Sequence, residues 1–156
     1  MTISRRMEHA IQKLYTAFHS GNLNPDCSMQ CAVGNICDRH DYWKHFTDLH
    51  GSVKLNYVGK VNEAFGKKFN GYLPLELLKI EAEFLLGCGY SLPIDRSHKN
   101  TEVVISKEIL FQGLSKVVSF LCVLDRIPDI MDCSQLFDFG LEEDKENMNC
   151  ASVIVL

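Results

Sequence analysis

The chain is short of the features that announce most chemistries. Its basic residues come as small clusters, Arg5–Arg6, Lys67–Lys68 and Lys99, and never as a stripe. Proteins that grip a phosphate backbone carry such a stripe, so no nucleic acid is expected as a partner. No apolar run approaches the roughly 20 residues that a membrane-spanning helix needs. The longest, Val117–Leu124, is broken by Ser119 and reads as a core helix. The opening Met1–His9 has no apolar core of a secretory signal. Gly-x-Gly-x-x-Gly, the phosphate loop, Gly-x-Ser-x-Gly and His-Glu-x-x-His are all missing, and with them the usual signatures of nucleotide binding and hydrolysis. No catalytic residue stands out.

What is present describes an ordinary globular chain. It has 156 residues, 46 % of them apolar and 23 % charged, with a formal charge of −4. That length suits one domain, and those proportions separate it from disordered chains, which are poorer in aliphatics. Seven cysteines are an odd number, and a chain of this size needs no staples. Such cysteines are free, buried, catalytic or metal-bound in a reducing compartment, which places the protein in the cytoplasm.

The apolar periodicity predicts an all-α fold, a single-domain helical bundle over residues 1–139, with an acidic, flexible tail over 140–156. Residues 4–20 place Met7, Ala10, Ile11, Leu14, Tyr15 and Phe18 at helical spacing behind the capping residue Ser4, and Gly21-Asn22 ends the helix. Asp26 is an N-cap for a short helix over Cys27–Val33 that Gly34-Asn35 would terminate. Asp38 or Asp41 caps a further short helix carrying Tyr42, Trp43, Phe46 and Leu49. Ser52–Tyr57 alternates like a strand but reads equally as a loop. Residues 58–69 form a short helix on Val61, Ala64, Phe65 and Phe69. A central helix starts at Pro74 and stops at Gly87–Gly89, and a second spans Ser106–Leu124. Asp132–Phe137 adds one more turn, and Thr101–Ile105 resembles a strand. Glu76, Glu81 and Glu83 lie on the Pro74 helix without the Glu-x-x-His motif of di-iron bundles, and they read as solvated or edge charges.

One segment carries metal-ligand chemistry: Cys27-x3-Cys31-x5-Cys37-x2-His40. On a helix, Cys27 and Cys31 stand one turn apart with Cβ atoms roughly 5–6 Å from each other. Two thiolates so placed can chelate zinc or iron, and a reversal at Gly34-Asn35 would bring Cys37 or His40 to close the site. His45 and His50 follow, about 140° apart on a regular helix, so one of them can join but not both. The candidate ligands are therefore Cys27, Cys31, Cys37, His40 and His45, for zinc or for an iron–sulfur cluster. The same cysteines also fit as small buried apolar residues, leaving a metal-free helical scaffold. Cys27, at a helix N-terminus, would otherwise be a reactive thiol.

Several stretches together resemble a known family. They are Leu14-Tyr15-Thr16-Ala17-Phe18-His19, Leu23-Asn24-Pro25, Cys31-Ala32-Val33-Gly34-Asn35, Asp41-x-Trp43-Lys44-His45 and Leu55-Asn56-Tyr57-Val58-Gly59. Phe69-Asn70-Gly71-Tyr72, Pro74–Leu77, Ile80-Glu81, Cys88-Gly89-Tyr90-x-Leu92-Pro93 and Phe120-Leu121-Cys122-x-Leu124-Asp125 continue the pattern. It is similar to a family of short bacterial proteins that commonly carry the label of the NADH-oxidising component of the sodium-translocating NADH:quinone reductase. The label implies an oxidoreductase, with a plant-type ferredoxin domain and a flavin- and NADH-binding module. A plant-type cluster uses Cys-x4-Cys-x2-Cys and a further cysteine, whereas the spacing here is Cys-x3-Cys-x5-Cys. No glycine-rich turn opens a helix for a dinucleotide, so neither flavin nor NAD is expected. The resemblance thus implies a link to redox metabolism through an iron–sulfur or zinc site. Two roles follow: a small accessory or interaction module with a Cys/His metal site and a protein partner, or an iron–sulfur electron carrier.

Overall fold

A computed structural model describes residues 3–90, 92 and 106–130. The expected turn at Asp132–Phe137, the strand-like Thr101–Ile105 and the tail over 140–156 lie outside the described residues. Among the described residues, five α-helices and one short 3-10 helix make up the fold: α1 (Arg5–Ser20), α2 (Ala32–Ile36), the 3-10 helix (Tyr42–Phe46), α3 (Tyr57–Ala64), α4 (Pro74–Gly87) and α5 (Lys107–Leu124). There is no strand among the described residues, only an isolated bridge between Phe69 and Tyr72. None of these helices is long and apolar enough to cross a membrane.

The long helices start and stop where local chemistry dictates. Ser4 caps α1 by accepting the Met7 N–H at 3.2 Å, and Gly21 ends it at φ +77°. Ser106 caps α5 in the same way through the Ile109 N–H. Pro74 opens α4, and Glu76 reaches back to the Leu73 N–H at 2.9 Å. Helix α4 is the centre of the molecule, packing on α5, α2, α3 and the 3-10 helix. Leu77, Leu78, Ile80, Phe84 and Leu85 are buried from it, and Leu114, Val117, Val118 and Leu121 meet them from α5. Two glycines let these helices approach closely. A Cβ on Gly87 would lie 2.7 Å from the Gly113 Cα, and one on Gly113 would lie 2.4 Å from the Cys88 Sγ.

Arg6 fastens the ends of three helices. Its guanidinium bonds Asp125 at the end of α5 at 2.6 and 2.9 Å, donates to the Gly71 carbonyl at 2.9 Å and approaches Glu76 at 3.4 Å. It also lies over the Tyr72 ring, 4.5 Å from the centroid. Ser4 adds a hydrogen bond to the same Asp125 carboxylate.

The irregular segments depart from the sequence reading. Residues 27–30 form turns, and the short helix begins at Ala32 with Cys31 as its N-cap. The Asn24 side chain accepts the Asp26 N–H at 2.9 Å, so Asp26 belongs to a side-chain-closed turn and starts no helix. Gly34 and Asn35 lie within α2, where the backbone of Ser28 and Met29 presses so close that a Gly34 Cβ would meet Ser28 O at 2.4 Å. Asp41 makes no capping bond; its carboxylate pairs with Lys44 at 2.8 Å instead. The 3-10 helix stops at Phe46, leaving Leu49 beyond it and 53 % exposed. Of the two readings of Ser52–Tyr57 the loop holds, with no strand beside it among the described residues, and Asn56 caps α3 through the Gly59 N–H. Helix α3 ends at Ala64, and Phe65, expected on its apolar face, is 82 % exposed.

Leu121, fully buried between α5 and α4, is the most direct probe of this core. Leu121→Ala is expected to lower the free energy of unfolding by on the order of 2–5 kcal/mol, measured by urea denaturation.

Candidate metal centre

Three side chains from separate parts of the chain converge beside α4. Cys31 is the N-cap of α2, and its Sγ accepts the Gly34 N–H at 3.3 Å. Glu81 projects from the middle of α4 and is fully buried. Its Oε1 accepts the Val33 N–H at 3.3 Å, while its Oε2 lies 2.8 Å from the His50 Nε2. His50 sits in the loop after the 3-10 helix, with its side chain 12 % exposed. One donor atom from each of Cys31, His50 and Glu81 lies within 4.8 Å of the other two.

Trp43 holds the surrounding loops in register. Its indole N–H donates to the Ser28 carbonyl at 3.0 Å, three residues before Cys31, and its ring stands edge-on to His50 at 5.6 Å. Asn35 pins the other side of the turn, its buried amide nitrogen donating to the carbonyls of Asn22, Gln30 and Cys31 at 2.8–3.2 Å. The segment is irregular, yet its polar groups are tied down, so the donors are pre-positioned.

The site and the sequence-derived ligand set share one residue. Cys31 is in the cluster. Cys27 sits in the preceding turn, half-buried, and the buried Cys37 caps the far end of α2. His40 is exposed beside Tyr42 at 6.2 Å, and His45 is exposed with its carbonyl bonded to the Asn56 amide. Among the described residues, none of these four belongs to a three-donor group. The helix expected at Cys27–Val33 begins instead at Ala32; the Cys31 N–H still closes on the Cys27 carbonyl at 2.7 Å, but Cys27 is not one of the clustered donors. His50 and Glu81 are the donors that lie beside Cys31 instead. Glu81, read from sequence as a solvated or edge charge, is a core residue. The signal that could have found it is the helix around it: α4 is apolar nearly all round, with Leu77, Leu78, Phe84 and Leu85 on the turns flanking position 81. A carboxylate there has to be partnered, because burying an unpaired charge is prohibitive.

Electrostatics favour a protonated thiol until a cation arrives. Burial pushes the Cys31 thiol well above its ordinary 9.0, and the adjacent Glu81 carboxylate adds to this, outweighing the Gly34 N–H that works the other way. A reactive nucleophile needs the opposite: thiolate character and access. A divalent cation would reverse the balance, since a coordinated thiol gives up its proton outright. The donor set is sulfur, nitrogen and oxygen, all accepted by zinc. Bonds of about 2.0–2.3 Å to a tetrahedral ion put donors roughly 3.3–3.8 Å apart. The three donor atoms, all within 4.8 Å of one another, would have to adjust to that spacing to hold an ion, His50 and Glu81 moving apart from their 2.8 Å contact.

Comparison with protein-family models, with characterised proteins and with solved structures finds no match to this chain.

The buried thiols give the metal-free protein a defined pH response. Burial also raises Cys37 to about 11 and Cys88 to about 12, from an ordinary 9.0. The fold therefore prefers these thiols protonated, whereas the unfolded chain loses their protons near pH 9. Stability is complete below that pH and falls as pH rises from there through the raised values. Urea midpoints of metal-free protein are expected to be lower at about pH 10.5 than at about pH 8.

Proposed function

We propose that the chain is a small zinc-dependent accessory module, in which Cys31, His50 and Glu81 hold one ion that locks the loops before α2 and after the 3-10 helix against α4. The observation that carries this reading is a fully buried glutamate, central in an apolar helix, whose carboxylate lies within 4.8 Å of both a cysteine and a histidine donor. Zinc suits the mixed donors, and the burial of Cys31 and Glu81 suits a structural role. The electron-carrier alternative asks for several thiolates around a cluster, and among the described residues Cys31 is the one cysteine in the group. The five described cysteines are free thiols, which supports a reducing, cytoplasmic setting.

A protein partner fits the surface next to the site. Met29 and Leu49, neighbours of Cys31 and His50 in sequence, are 46 % and 53 % exposed, and Tyr57 and Phe65 at the two ends of α3 are more exposed still. Zinc would set the loops that carry Met29 and Leu49, so that metal loading and partner binding are linked.

Elemental analysis of protein purified without a histidine tag tests the reading. About one equivalent of zinc is expected, and a strong chelator should lower the melting temperature because the unfolded chain has no preformed site. Cys31→Ser and His50→Ala should both lose the metal, while Cys37→Ser should keep it. Zinc well below one equivalent, with a melting temperature indifferent to chelator, would leave a metal-free hydrogen-bonded cluster.

A further inference from the structure

Away from Cys31, His50 and Glu81, none of which lines it, a groove lies where the last turns of α1 meet the residues that end and follow α2. It is an open groove of about 460 Å³ lined by Gln12, Lys13, Thr16, Asn35, Asp38 and Arg39. Its polar groups are unequally used. Lys13 is satisfied, pairing with the Asp38 carboxylate at 2.8 Å and donating to the Ile36 carbonyl at 3.1 Å. Asp38 also accepts from the Asn70 amide at 3.2 Å. Asn35 is only 6 % exposed, and the hydrogen bonds that fix it all use its nitrogen. Its carbonyl oxygen takes no part in them. Arg39, by contrast, makes no ion pair among the described residues.

The backbone that presents these groups is unusual. Asp38 and Arg39 are consecutive non-glycine residues in the left-handed region, at φ +60° and +66°. The Arg39 N–H closes back on the Gly34 carbonyl at 2.8 Å. Glycine is the residue that helix ends favour in this conformation, and other side chains there are strained. Aspartate tolerates this region, so the strain falls chiefly on Arg39.

We propose that this groove binds a small organic carboxylate bearing hydroxyl or amino groups, with Arg39 as the fork that receives the carboxylate. Two cations and one anion line the groove, and Asp38 neutralises Lys13. One uncompensated charge remains, on a planar donor whose geometry matches a carboxylate. Asp38 beside it disfavours a dianion. The Asn35 carbonyl, the Thr16 hydroxyl and the Gln12 amide are there for the ligand's own donors and acceptors. None of Cys31, His50 and Glu81 lines the groove, so the inference stands whether or not the zinc reading does.

The test is a chemical-shift titration of isotope-labelled protein, as purified, with gluconate, glutamate and inorganic phosphate in separate arms. Saturable shifts of the Thr16, Asn35 and Arg39 amides are expected with at least one of the two organic acids, and weaker binding with phosphate. Arg39→Lys should weaken that binding by about tenfold or more, since the charge stays but the fork is lost. Arg39→Gly is the decisive variant. Glycine relieves the positive φ, so its thermal stability should equal or exceed that of the wild type while binding disappears. Absence of saturable shifts with both organic acids would overturn the proposal. So would undiminished binding by Arg39→Gly, or phosphate binding as tightly as the organic acids.

Discussion

A carboxylate with no access to water sits at the middle of the central helix, and much of the irregular half of the molecule is arranged around it. Glu81 is fully buried among leucines and a phenylalanine, where an unpartnered charge would cost far more than any single side chain contributes. Its two oxygens are satisfied from two separate segments, one by the Val33 N–H in the first turn of α2 and the other by His50 in the loop after the 3-10 helix. Those contacts draw the start of α2 and the loop after the 3-10 helix onto the same face of α4. Cys31 arrives with them as the residue that caps α2. The convergence of sulfur, nitrogen and oxygen donors is thus a consequence of pairing one buried charge. It also explains how a segment built of turns can hold ligand atoms in place without regular secondary structure.

The regular half of the fold supplies the rigid wall against which this happens. The glycine contact between α4 and α5 sets their separation, and Arg6 ties the start of α1 and the start of α4 to the end of α5. With its other face sealed by α5, helix α4 can present Glu81 toward the loops in one orientation. Trp43 completes the arrangement, since one indole both fixes the Ser28 carbonyl and flanks the His50 ring. Sequence, packing and site are connected here through a few polar groups buried in apolar surroundings, where hydrogen bonds are strongest and vacancies are least tolerated.

The helices were legible in the sequence because their signals are local. Ser4, Gly21, Pro74 and Ser106 mark ends through side-chain or backbone chemistry within one turn, and the apolar spacing between them names the buried faces of α1, α4 and α5. The candidate site was legible only in part, and Cys31 is the part. Cys27 is expected beside it from a helix over Cys27–Val33, and Cys37 or His40 from a reversal at Gly34-Asn35, but the helix starts at Ala32 and Gly34-Asn35 lies inside it. The observed partners are 19 and 50 residues away in sequence, and no short pattern encodes such a meeting. Phe65 illustrates the same limit: it continues the apolar spacing of α3, yet Gly66 at φ +66° follows the helix end and Phe65 stays in solvent.

In the proposed site one sulfur, one imidazole nitrogen and one carboxylate oxygen of this chain meet at a single metal ion. X-ray absorption at the zinc edge on loaded protein reads that first shell directly. One sulfur is expected at about 2.3 Å, with the remaining neighbours nitrogen or oxygen at about 2.0–2.2 Å. The sulfur shell should disappear in Cys31→Ser and survive in Cys37→Ser. A shell of two or more sulfurs, or none in the wild-type protein, would contradict that coordination.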